Sequence, residues 1–310
     1  MLTLIIGSII VCLGMISNSL VIASSFESDG NSKKCLLKTM CFIRSLAVTD
    51  LFCMLLMVGY MVYILIPNLQ TRFFNNLITS LHIFFCCCSQ LHNMMIILER
   101  TVAVVSPVFH RVVVTSHRAQ STIVCIWILS GMLFVIAFLR HPFPVPIFRV
   151  TVFWLLIVIA FIIPLLVIIP GLCIIGFIGY KSVKVKQRNC RYHALNRELR
   201  WQELKVIGHI SVMVAPMVIC WTVFFVGTIY ETVSENYFSG VMNWVLTFLP
   251  FVASAVNPLM YILVTRSLMT GVKRRVRYAV KYFHPRNIKN GFSSIRSPSA
   301  REKSIALTFV

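Results

Sequence analysis

Seven stretches of the chain run for about 20 residues or more with almost no charge, at roughly 2–26, 39–66, 77–105, 121–139, 150–180, 205–230 and 238–264. That length is what a helix needs to cross the hydrocarbon core of a bilayer. Backbone in that core has no water to bond, so each stretch predicts a helix that satisfies its own amides. Composition agrees: 58% of the 310 residues are hydrophobic and only 12% are charged. Soluble chains carry about 25% charged residues. The expected fold class is an all-α membrane protein, a seven-transmembrane helix bundle. The first stretch has no basic region before it and no small-residue cleavage site after it, so it is expected to be a span and not a removed signal peptide.

The charge is lopsided, with 29 Lys and Arg against 9 Asp and Glu. The basic residues alternate with apolar runs and share no surface free of membrane, which speaks against a nucleic-acid partner. Segments 27–38, 106–120, 181–204 and 265–310 hold clusters such as Lys33, Lys34 and Lys38, whereas the alternate segments hold only Arg72, Arg140 and Arg149. The excess of positive charge predicts the N-terminus outside and the tail in the cytoplasm, facing anionic lipid. Nine of 11 cysteines lie in apolar runs, leaving Cys35 and Cys190 in polar segments, so no disulfide scaffold is expected. There is no internal repeat, and an odd number of spans argues against paired inverted repeats.

Polar residues inside spans are costly and face the bundle interior. Asp50 sits in the middle of the second span. In the third, His82, Cys86, Ser89, Asn93 and Arg100 recur at steps of 4, 3, 4 and 7, one face of a helix. In the seventh, Ser254, Asn257 and Tyr261 again share a face. A carboxylate on one helix with hydroxyl and amide groups on two others makes either an oxygen-lined pocket for a small hard cation or a dry hydrogen-bonded network. Arg100 follows Glu99 at the end of the third span. Its guanidinium stays charged, so it needs a partner, and Glu203, at the entry to the sixth span, is the candidate from another helix. Such a pair is either a breakable latch or a simple anchor at the lipid surface. No catalytic constellation and no zinc-site spacing occurs, so an enzyme is not expected.

Taken in order, these residues resemble the rhodopsin-like (class A) family of G-protein-coupled receptors over about 14–283. Asn18 in Ser17-Asn18-Ser19-Leu20-Val21 is similar to the first-helix signature. Leu46-Ala47-Val48-Thr49-Asp50 matches the second and Glu99-Arg100-Thr101 the third. Trp127 fits the fourth helix and Phe161-Ile162-Ile163-Pro164 the fifth. Cys220-Trp221 with Phe224 is similar to the sixth, and Asn257-Pro258-Leu259-Met260-Tyr261 is the full Asn-Pro-x-x-Tyr motif of the seventh. The resemblance implies three parts: a receptor bundle over 1–264, an amphipathic membrane-surface helix over 265–283, and a disordered tail over 284–310. In that helix Leu268, Val272, Val276 and Val280 lie opposite Lys273, Arg274, Arg275, Arg277 and Lys281.

The resemblance also implies a mechanism. An extracellular ligand favours outward movement of the sixth helix, the Arg100–Glu203 pair breaks, and a crevice opens for a heterotrimeric G protein. Glu99 and Tyr261 belong to that coupling end, and Trp221 and Pro258 are the switch beneath the ligand. Asp50, Ser89, Ser254 and Asn257 would bind an allosteric sodium ion, with no other cofactor or metal. The ligand pocket is expected to be lined by His82, Cys86, Glu231 and Trp244. His82 stands where amine receptors carry Asp, which argues against a monoamine, and the seventh span has no lysine for a retinal Schiff base. A small molecule, lipid or short peptide remains.

The chain departs from the family in several places. Asn75 stands where a third-helix cysteine would form the outer disulfide, and loop 140–149 has no cysteine, a feature shared with melanocortin, lysophospholipid and cannabinoid receptors. Val223 replaces the sixth-helix proline, with Pro216 two turns earlier. Leu172 replaces a fifth-helix tyrosine, and Asn93 replaces an apolar residue, which is expected to raise basal signalling. The tail serines Ser293, Ser294, Ser297, Ser299 and Ser304 are expected arrestin-recruiting phosphorylation sites. Thr308 and Val310 give the C-terminus the form that adds a strand to a PDZ domain. Two rival functions stand beside the receptor: a seven-helix transporter or channel, and a receptor-like protein that has lost coupling, to which Thr101, Leu172 and Val223 lend weight.

Overall fold

The computed structural model describes residues 2–28, 34–139, 146–189, 216–234, 238–264 and 266–283. Ten α-helices carry these residues: α1 Leu2–Ser28, α2 Lys34–Leu65, α3 Arg72–Val105, α4 Pro107–Val113, α5 Ser116–Leu139, α6 Pro146–Ile157, α7 Ile163–Asn189, α8 Pro216–Ser234, α9 Gly240–Val264 and α10 Arg266–Phe283. Seven helical stretches are long and apolar enough to cross a membrane. The first three spans are α1, α2 and α3, and the fourth is α5. The fifth is α6 and α7 joined by a π-turn at Val158–Ile162, the sixth is α8, and the seventh is α9.

Several helices overrun the apolar stretches that predicted them. The fourth span begins at Ser116 and not near 121, and the third at Arg72 and not 77. The extra turns, 72–76 and 116–120, put polar residues at the helix ends, because a helix that has left the hydrocarbon goes on bonding its own amides until a cap or a proline stops it. At Arg72 the cap is Thr71, whose hydroxyl accepts from the Phe74 amide at 3.3 Å. The segment between the third and fourth spans, expected to be a plain connection, holds the short helix α4, opened by Pro107 in its first turn. In the fifth span the Ile163 amide reaches back to the Val158 carbonyl. The π-turn therefore sits directly before Pro164, whose ring removes one donor and crowds the preceding turn.

Helix α3 is central, packing against α2, α5 and α7, while α9 packs on α1 and α2. Of the most apolar window of each span, 56% is buried in the third and seventh, against 22–33% in the other five. Those two spans carry the polar faces, which is why they sit inside.

Because lipid tails are as apolar as leucine, helices in a membrane are held by close packing and by interhelical hydrogen bonds of about 0.6 kcal/mol each on average. The bundle uses many such bonds. Ser17 and Asn18 on α1 donate to the Ala255 and Ser254 carbonyls of α9 at 3.3 and 3.2 Å. Trp127 on α5 donates to Ser45 Oγ of α2 at 3.1 Å, and His92 Nε2 of α3 lies 2.8 Å from the same oxygen. The other ring nitrogen of His92 bonds the Cys88 carbonyl at 2.7 Å. A carbonyl can only accept, so Nδ1 carries the proton and Nε2 accepts from Ser45. At the opposite end of α3, Asn76 donates to the Phe138 carbonyl of α5 at 2.9 Å. Phe73 packs edge-on against Phe138 beside it, and together they tie α3 to α5 one residue from Asn75.

Residues up to Gly271 form one compact unit, with Leu268 fully buried in its core. Val272–Phe283 completes α10, with Lys273, Arg274 and Arg277 exposed. The expected disordered tail, with its serines and with Thr308 and Val310, lies outside the described residues.

Candidate functional site

A column of polar side chains runs down the inner face of α3 and across to α9. At mid-membrane, Asp50 is fully buried. Ser89 donates to its Oδ1 at 3.3 Å and Asn257 to its Oδ2 at 3.4 Å. The Ser254 hydroxyl also faces this carboxyl. Helix periodicity explains the convergence: Ser254 and Asn257 lie three residues apart on one face of α9, and Ser89 points from α3 across the same gap. The donors are one carboxylate, two hydroxyls and an amide, all hard oxygen ligands of the kind that suit a hard cation. Among the described residues no group of three or more His, Cys, Asp or Glu is placed to hold a metal ion.

One turn beyond Ser89, Tyr261 donates its phenol to Asn93 Oδ1 at 2.7 Å, with both side chains buried. The Asn93 amide nitrogen has no partner among the described residues. The last residue of the Asn-Pro-x-x-Tyr segment is thereby tied to the third span at the residue that departs from the family pattern. Pro258, inside α9, is buried between Asn257 and this bond.

At the end of α3, Glu99 is buried and Arg100 is partly exposed; the Arg100 Nε lies 3.5 Å from Glu99 Oε2. Two further groups hold the carboxylate. Thr39 of α2 donates to Oε2 at 2.9 Å, and His110 Nε2 of α4 lies 2.7 Å from Oε1. The carboxylate can only accept, so that nitrogen carries a proton. Sequence reasoning missed Thr39 and His110 as partners of Glu99. His110 lies on a short helix that apolar periodicity does not reveal, and Pro107, which opens that helix, was the available signal. Glu203, the expected partner of Arg100, lies outside the described residues.

At the other end, the residues expected to line the ligand pocket fall into three places. His82 stacks on Phe251 with ring centroids 5.0 Å apart and meets Phe224 edge-on at 6.0 Å. Cys86, one turn below, packs in the core cluster that holds Trp221. Trp221 lies against Phe224 and Phe225. The His82 Nε2 and the Trp221 indole N–H are both buried without a partner among the described residues. Glu231 and Trp244 have other direct partners. Glu231 accepts from the Phe238 amide at 2.9 Å, clasping the connection between the sixth and seventh spans. Trp244 stacks on Phe248 and packs in the cluster beside α1 and α2.

The arrangement performs no covalent chemistry. It sets an aromatic cluster at one end of the bundle, a charged cluster at the other, and buried hydrogen-bonded polar pairs along the third span between them. The comparisons agree. Residues 17–261 match the profile of "7 transmembrane receptor (rhodopsin family)". The human histamine H2 receptor is 25% identical over 286 residues, covering 85% of this chain and 78% of the relative. The dog receptor of the same name is 24% identical over 315 residues, covering 96% and 83%. That of the guinea pig is 26% identical over 281 residues, covering 85% and 73%. The seven spans, the polar column and the matched profile together place this chain in the rhodopsin family of G-protein-coupled receptors, multi-pass proteins of the plasma membrane that relay an extracellular ligand to a G protein.

Proposed function

We propose that the chain binds a small molecule, lipid or short peptide at the His82–Phe251–Trp221 end and activates a heterotrimeric G protein by outward movement of the sixth span. The N-terminus lies outside the cell and α10 on the cytoplasmic side. The observation that supports this reading best is the succession of buried polar groups along α3, with Asp50 bonded to Ser89 and Asn257, Asn93 bonded to Tyr261, and Glu99 beside Arg100. A ligand acts on such a column only through its different affinity for two arrangements of it. The movable side is α8, which carries Trp221 and has Pro216 at the start of its described length.

The named relatives are histamine receptors, yet the residues at this end argue for another ligand. A cationic amine needs a carboxylate, and His82 stands at the position where amine receptors place one. Glu231, the acidic side chain described at that end, already accepts a backbone amide. The unpartnered His82 nitrogen and Trp221 N–H instead favour a neutral or anionic ligand with hydrogen-bonding groups. Asp50, Ser89, Ser254 and Asn257 hold sodium in the resting state, and Arg100 pairs with Glu203 as the latch. Phosphorylated tail serines recruit an arrestin, and Thr308 and Val310 dock a PDZ domain.

Ligand-free nucleotide exchange on a panel of G proteins tests the reading, comparing the native chain with Glu203→Ala and Arg100→Ala. Exchange rises with Glu203→Ala and disappears with Arg100→Ala. Surface-expressed protein that drives no exchange in any variant would move the weight to an uncoupled receptor or a transporter.

A further inference from the structure

A dry cleft of about 280 Å³ lies between the first and seventh spans, away from the polar column, with Ile6 and Ile10 of α1 on one wall and Val241, Trp244, Phe248 and Val252 of α9 on the other. Its origin is the way the two helices are tied. The Ser17 and Asn18 bonds clamp α1 to α9 near mid-membrane. There α1 and α9 meet at ordinary contact distance, a Cβ built on Gly14 standing 3.4 Å from the Ala255 side chain; the room that Gly14 leaves is taken by the Met54 side chain of α2. Toward Leu2 the α1 sequence offers no polar group that bonds α9 among the described residues, and the helices part. The walls are wholly aliphatic or aromatic, so the cleft has nothing to hold an ordered water.

The geometry of the cleft is that of one leaflet. From Val241 to Val252 is eleven residues, about 16 Å of helix at 1.5 Å per residue, close to half of the roughly 30 Å hydrocarbon core. Its rim opens to the surroundings, with Ile6, Val241 and Val245 exposed at 45%, 79% and 44%. Trp244 lies in the first turns of α9, at the level where tryptophans meet the membrane interface. On the scale of a 150 Å³ cavity that takes benzene, the volume accommodates about ten carbons.

We propose that this cleft is a binding site for one acyl chain of a phospholipid from the leaflet on the Gly240 side, the outer leaflet in the orientation given above. The lipid around the protein is already apolar, so the affinity comes from dispersion contacts in a slot that protein atoms leave unfilled, not from water release. The seated chain bears on Phe248. Phe248 packs in one cluster with Phe251, on which His82 stacks, so occupancy is passed by packing to the His82 ring. The site stands on the cleft itself and is independent of which ligand or G protein the receptor uses.

The test is photolabelling of the full chain in phosphatidylcholine nanodiscs containing a phosphatidylcholine with a diazirine in one acyl chain, followed by mass-spectrometric mapping of adducts. Adducts on Val245 and Leu249 are expected several-fold above those on Leu166 and Phe177, fifth-span residues that are 68% and 65% exposed. Filling the cleft with Val245→Trp, or from the other wall with Ile6→Phe, removes the excess and leaves fifth-span labelling as the internal control for folding. Equal labelling of both regions, or an excess that survives both filling variants, overturns the proposal. So does a photo-crosslinked receptor dimer in place of lipid adducts, which would assign the cleft to a second copy.

Discussion

The Tyr261–Asn93 bond is predicted to couple the seventh span to the third strongly enough to be measured. The bond is 2.7 Å long, and both residues are buried. Interhelical bonds in membrane proteins contribute about 0.6 kcal/mol on average and about 1.7 at most. An unpaired buried polar group costs about 1–3 kcal/mol. In the native chain the Asn93 amide nitrogen is already unpaired. Tyr261→Phe loses the bond and strands the amide oxygen as well, so it is the most destabilising of the set. Asn93→Leu exchanges one stranded group for another, the Tyr261 hydroxyl, and loses only the bond. The double substitution removes every polar group involved and is at least as stable as the native chain. The assay is thermal melting of the purified receptor across the four variants. The expected coupling exceeds the roughly 0.3–0.5 kcal/mol within which independent sites add. The same four proteins read function. Taking the bond as one made in the signalling arrangement, Asn93→Leu lowers ligand-free nucleotide exchange, by about threefold for an average bond and no more than about eighteenfold for the strongest. In the Tyr261→Phe background it changes nothing. Additive melting shifts, or equal falls in exchange in both backgrounds, would refute the reasoning.

Two further predictions rest on packing and on the buried carboxylate. A Cβ added at Gly171 would lie 2.9 Å from both Ile97 Cγ2 and Thr101 Oγ1. Gly171→Ala therefore overpacks the contact between α3 and α7 and is expected to cost about 1–3 kcal/mol, seen as a lowered melting temperature; an unchanged one would show that the two helices part freely there. If the oxygen donors around Asp50 hold sodium, adding sodium chloride in place of potassium chloride lowers ligand-free exchange in the native chain and has no effect in Asp50→Asn. A sodium response that persists in Asp50→Asn would place the ion elsewhere.

Seven spans and their inward faces were legible in the sequence for a local reason. In lipid each helix must satisfy its own backbone, so an apolar run of sufficient length is a helix whatever its neighbours do. Asp50, Ser89, Asn93, Asn257 and Tyr261 could likewise be assigned to interior faces from spacing alone, because spacing on one helix is fixed by 3.6 residues per turn. Their partners could not. Whether Tyr261 meets Asn93, whether Glu99 is held by Thr39 and His110, and whether Ser45 is shared by His92 and Trp127 depend on the rotation and height of one helix against another, which no single helix encodes. Trp244 shows the same limit, since it stands on the same span as Asn257 yet stacks on Phe248 in a cluster with residues of the first and second spans, a partnership that spacing on one helix does not show. The helices, their number and their polar stripes follow from the chain's own chemistry. The hydrogen-bonded column and the cleft between the first and seventh spans were decided only by packing, where a few interhelical bonds and small residues such as Gly14 and Gly171 set how closely each pair of helices can approach.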